Sequence, residues 1–167
     1  MEYKASLDST SKIISVVVTL LFFTITVYTF TLLDFKSGMG TESIILILTT
    51  LLLISIYFIC YLFRPIMYVL DKDKIIVKRL VLDLTIDIKT IKSALLADKK
   101  SMRWTIRTFG NGGLFGYFGK FYNQTFGSMT WYATRRSNYI VLGTTTKGKI
   151  VITPDDPNMV NEIGKLI

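Results

Sequence analysis

Two uninterrupted apolar runs constrain this chain more than any other feature. Ile13–Leu33 and Ser43–Phe63 each extend for 21 residues without a charged side chain. As helices rising about 1.5 Å per residue, each covers about 31 Å, close to the roughly 30 Å hydrocarbon core of a bilayer. A signal peptide competes for the first run, but its apolar region extends over only about 7–15 residues. A buried hairpin in a soluble fold is disfavoured by two uncharged runs of this length. The expectation is a short N-terminal segment, 1–12, a transmembrane helix over 13–33, a tight loop over 34–42 with Gly38 and Gly40, and a second transmembrane helix over 43–63.

Basic residues orient this hairpin. Lys4 and Lys12 precede the first run, only Lys36 lies in the loop, and Arg64, Lys72, Lys74, Lys78 and Arg79 follow the second. Cytoplasmic flanks collect Lys and Arg, so both termini are expected in the cytoplasm and the loop outside. Neither span carries the charged side chain that an ion path or proton relay uses. Thr19, Thr24, Thr26, Thr29 and Thr31 read as packing groups that bond back to their own helix or across to the second. Cys60, one turn before Arg64, reads as a small buried residue.

Composition excludes most chemistry. There is no histidine and one cysteine, which removes Ser-His-Asp and Cys-His nucleophiles, histidine metal sites, thiolate zinc clusters and intrachain disulfides. No catalytic, metal or cofactor site is expected. Asp155-Asp156, between two prolines, reads as a helix cap rather than an acid pair.

After Pro65 the pattern changes from continuous to alternating. Leu82-Asp83-Leu84-Thr85-Ile86-Asp87-Ile88-Lys89 alternates without a fault, as a strand with one wet face does. Further strands are expected at 66–70, 74–80, 91–97, 102–108, 129–133, 139–144 and 149–153, separated by turns such as Asp71-Lys72-Asp73 and Thr146-Lys147-Gly148. Asp156 and Pro157 then read as an N-cap and first helical position. Met159, Val160, Ile163, Leu166 and Ile167 follow at helical spacing. The spacing predicts an antiparallel sandwich or barrel of about seven strands, closed by one C-terminal helix.

Three segments carry a resemblance. Arg107–Phe121 (RTFGNGGLFGYFGKF), Tyr132–Tyr139 (YATRRSNY) and Ile150–Pro157 (IVITPDDP) are similar to a bacterial PH-like (pleckstrin-homology-like) domain family. The resemblance runs from about Ile66 to the C-terminus and implies a PH-like split barrel with a C-terminal helix. Members often follow a pair of transmembrane helices, which implies a multi-pass protein of the bacterial inner (cytoplasmic) membrane. It implies no enzymatic activity and no settled ligand.

The glycines between 110 and 119 do not make a nucleotide loop. A dinucleotide fingerprint from Gly110 would need glycine where Phe115 stands. A Walker A ending at Gly119-Lys120 would need glycine at Leu114 and Ser or Thr at Phe121. Two placements stay open for the aromatic residues. In one, a glycine-bent strand and loop folds Phe115, Tyr117, Phe118, Phe121 and Tyr122 into the barrel or its rim. In the other, Phe115, Tyr117, Phe118 and Phe121 form an exposed interaction rim for self-association or for resting on the membrane interface.

From Arg64 onward Lys and Arg total 17 against 8 Asp and Glu. Arg103, Arg107, Lys120, Arg135 and Arg136 are the candidate anion-facing patch, against the simpler reading of a solvated positive-inside surface. The first hairpin loop, Asp71-Lys72-Asp73-Lys74, alternates in sign and does not suit an inositol lipid. Scattered charge and the absence of a recognition motif argue against nucleic acid. The expected partners are the lipid bilayer, a second copy or a protein partner, and anionic lipid headgroups. The leading expectation is a non-enzymatic, membrane-anchored interaction module that scaffolds by self-association or protein recruitment. The alternative is an anionic-lipid sensor.

Overall fold

The computed structural model of the protein describes residues 1–32 and 40–167, so most of the expected loop over 34–42 lies outside the described residues. A short strand, β1 (Glu2–Lys4), precedes helix α1 (Ser9–Leu32), and helix α2 (Thr41–Leu62) follows. Both helices are long and apolar enough to cross a membrane. Their burial inverts that of a soluble helix. The buried residues of α1 are Ser11, Ser15 and Thr29, and α2 buries none. Val16, Leu20, Phe23 and Phe30 stay exposed, a pattern compatible with a transmembrane hairpin.

The threonines fix the pairing of the helices. Thr19, Thr24 and Thr26 donate to the carbonyls four residues back, and Thr31 to the one three back. Thr19 also meets the Tyr57 hydroxyl at 2.9 Å, and Thr50 donates to Thr29 at 3.3 Å. Residue 19 against 57 and 29 against 50 describes an antiparallel pair. Pro65, which cannot continue a helix, stands just past the end of α2 and opens the β domain.

Nine strands follow: β2 (Pro65–Leu70), β3 (Lys74–Arg79), β4 (Leu84–Asp87), β5 (Ile91–Ala97), β6 (Ile106–Gly113), β7 (Gly116–Asn123), β8 (Gly127–Ala133), β9 (Tyr139–Thr144) and β10 (Gly148–Ile152). A short helix, α3 (Met159–Gly164), ends the order. The strands make two sheets, ordered β1-β2-β3-β4 and β5-β9-β10-β8-β7-β6. Of the expected sandwich or barrel of about seven antiparallel strands, the two-sheet form is present, while the strand number and the purely antiparallel pairing are corrected. The domain is two packed sheets, and β8 and β10 pair in parallel. The parallel pair arises because the chain leaves β8, passes to β9 and returns through the β9–β10 hairpin into the place beside β8.

The principal core lies between the sheets. Tyr68, Ile75, Val77 and Ile86 from the first sheet meet Ile140, Leu142, Ile150 and Ile152 from the second. Met159 and Ile163 of α3 close this core, but Leu166 and Ile167, expected on the same stripe, are exposed. Alternation along β9 and β10 sends Tyr139, Val141 and Val151 to the opposite face, where they pack with Tyr117, Phe121, Met129 and Trp131. The connection 98–105 runs from β5 to β6, the two edges of this sheet, and adds Met102 to the second core.

Local polar side chains account for the shifted boundaries. The alternating run 82–89 is a strand only from Leu84 to Asp87. Asp83 accepts from Lys78 Nζ and the Arg79 amide, and Asp87 accepts from the Lys89 amide to cap a 3-10 turn. Asp98 accepts from the Ser101 amide, which holds a turn where the strand 102–108 was expected. Asp156 accepts from the Asn158 amide, and α3 begins after that turn.

Candidate functional site at the junction of helices and sheet

The glycine-aromatic segment forms β6, β7 and the turn between them. Gly110 and Gly119 face each other across the hairpin, both at positive φ. A Cβ on Gly110 would stand 2.5 Å from the Phe118 carbonyl oxygen, so the strands approach at a distance only glycine permits. Asn111 fixes the turn. Its amide nitrogen donates to the carbonyls of Leu114 and, at 3.1 Å, Gly116, and its oxygen accepts from the Leu114 amide.

That turn is seated between the two helices. The Ser11 hydroxyl donates to the Gly113 carbonyl at 2.7 Å, and the Phe115 amide donates to the Ser15 hydroxyl at 2.8 Å. A Cβ on Gly113 would come within 2.6 Å of Ile14 Cδ1, so glycine lets α1 lie against the turn. The Phe115 ring meets Tyr57 and Tyr61 of α2 edge-on, with centroids 5.1 and 5.3 Å away. Phe115 itself takes a positive φ, a strained conformation held by contacts on both sides.

A second set of bonds ties the start of α1 to the sheet. Asp8 accepts from the Ser11 amide as the cap of α1, from the Arg136 amide at 2.9 Å and from the Tyr117 hydroxyl. The Asp8 amide donates to the Thr134 carbonyl. Burial, reinforced by the Asp8 charge, pushes the Tyr117 phenol up to about 12. Arg135 donates to the Ser6 carbonyl and pairs with Asp155, whose oxygens also accept from the Ser6 amide and hydroxyl. Burial works to raise the Asp155 carboxyl, but the Ser6 bonds and Arg135 outweigh it and hold it below the usual carboxylate range.

The structure therefore separates the expected groups. Phe115, Tyr117 and Phe121 are buried and Phe118 is half-buried, which corrects the idea of an exposed platform built on them. Phe121 stacks on Trp131 in the second core. The five basic residues have different partners. Arg103 lies over the Trp104 ring and Lys120 bonds Thr130. Arg135 is engaged by Ser6 and Asp155, and the Arg136 guanidinium lies over Tyr117. Arg107 alone lines a groove of about 540 Å³ beside the helix ends.

Sequence reasoning missed Asp8, Ser11, Ser15, Tyr57 and Tyr61. Asp8 before Ser9-Thr10-Ser11 is a readable N-cap signal. The serines and tyrosines gave no signal beyond their place at the ends of the apolar runs.

No curated protein and no solved structure matches the chain. The family model for the bacterial PH domain matches residues 66–165, from the second residue of β2 through α3. That match covers more than half of the sequence, and the chain belongs to the bacterial PH domain family.

Proposed function

We propose that the chain is a non-enzymatic interaction module, anchored in the bacterial inner membrane by α1 and α2, with both termini cytoplasmic, that scaffolds by self-association. The observation that supports this reading is the seat of the Phe115 turn between the helices. It presents the β domain at a fixed attitude instead of on a loose tether. With the aromatic turn occupied internally, the edges of the larger sheet, β5 and β6, are surfaces open to recruitment.

The edge we assign to self-association is β5, which pairs only with β9. Leu95 and Leu96 on it are each more than half exposed. An edge strand with one unpaired side and apolar side chains is a template for a strand of a second copy. The test is the mass of the full chain in detergent, by light scattering with the detergent contribution subtracted. A defined multiple of 19.0 kDa is expected, falling to one copy in the Leu95→Glu, Leu96→Glu variant. A 19.0 kDa particle at every concentration contradicts self-association.

A further inference from the structure

The groove of about 540 Å³ opens where α1 and α2 meet β6 and β7. Ile14, Ile56, Ile59, Phe109 and Phe118 make it largely apolar, and Arg107 is its one charged lining residue. Arg107 sits near Cys60. A Cβ on Gly112 would stand 3.2 Å from an Arg107 guanidinium nitrogen, so the missing side chain makes the space this arginine lies in. Among the described residues no carboxylate pairs with it.

Depth assigns the occupant. Along α2, Cys60 lies about 6 Å and Ile56 about 12 Å inside Arg64, at about 1.5 Å per residue. The groove thus descends from headgroup level, at Arg107, to acyl-chain level, at Ile56. We propose that it holds one anionic phospholipid of the cytoplasmic leaflet, its phosphate on Arg107 and its upper acyl chain along Ile56 and Ile59. The planar guanidinium matches a phosphate's paired oxygens, and the apolar walls suit a chain that a soluble phosphate lacks. The inference rests on α1 and α2 spanning the membrane.

The test titrates the full chain in mild detergent with phosphatidylglycerol or phosphatidylcholine and counts bound lipid by native mass spectrometry. One retained phosphatidylglycerol is expected, preferred about fivefold, as one basic residue near a headgroup supplies. Arg107→Gln and Gly112→Val should abolish the preference, while Arg107→Lys keeps most of it and Arg103→Gln all of it. Equal retention of the two lipids, or a preference that survives both disruptive variants, overturns the site. Carbonate extraction of native membranes separates the two failures. A chain that stays in the membrane yet shows no preference loses only the lipid site. A chain that is extracted overturns the anchor and this inference with it.

Discussion

The Phe115 ring stands edge-on to Tyr57 of α2 at 5.1 Å, while the amide of the same residue donates to Ser15 of α1. One turn residue therefore bridges both helices, and removing its side chain opens a gap between all three elements. Phe115→Ala should cost about 3 kcal/mol, read as a lowered midpoint when the detergent-solubilised chain is unfolded. An unchanged midpoint would show that the ring carries no packing energy.

Asp8 serves three donors at once: the Ser11 amide, the Arg136 amide and the Tyr117 hydroxyl. Asp8→Ala removes a helix cap and leaves the other donors short of a partner, so a loss of about 2 kcal/mol is expected. Asp8→Asn keeps an acceptor oxygen and should restore about half of it. The same unfolding titration measures both variants.

Much of this was legible in the sequence, for reasons that differ by element. The two long apolar helices show in two uncharged runs, and β5 and β9 have the bounds that alternation and turn residues assign them. The glycines of β6 and β7 read correctly as sites of bending and close approach. Other features depend on partners remote in sequence. β1 is three residues long and exists by pairing with β2, more than sixty positions away. Phe115 is buried because Ser15, a hundred residues earlier, and Tyr57 come to it. No local pattern around Phe115 distinguishes that seat from an exposed rim.

Alkaline pH should weaken the fold through its buried phenols. Tyr68, Tyr117 and Tyr139 are each pushed from their ordinary value of 10.0 up to about 12, with burial the largest cause. A raised value means the folded state holds protons that the unfolded chain releases. The stability is fully present below pH 10 and is lost as pH rises toward 12. Melting temperature between pH 8 and 11.5 should be flat and then fall. Tyr117→Phe should make the fall shallower.

Arg135 and Asp155 form an ion pair whose side chains retain 19% and 32% exposure, so solvent screens much of it. A double-mutant cycle with Arg135→Gln and Asp155→Asn should return a coupling of about 0.5–1 kcal/mol. The contribution should fade in acid. Asp155 is held below its ordinary 3.8, so the stability it supplies is present above that value and disappears as pH falls below it.

The most direct test is hydrogen exchange at the Phe115 amide in the full chain reconstituted into lipid nanodiscs, resolved to that residue. Buried and bonded to Ser15, the amide should exchange slowly, at a rate near that of the β7–β8 ladder. Ser15→Ala should speed it up while leaving the ladder unchanged. Fast exchange in the wild-type chain, at the rate of an open loop, would contradict a β domain seated on its helices through this turn.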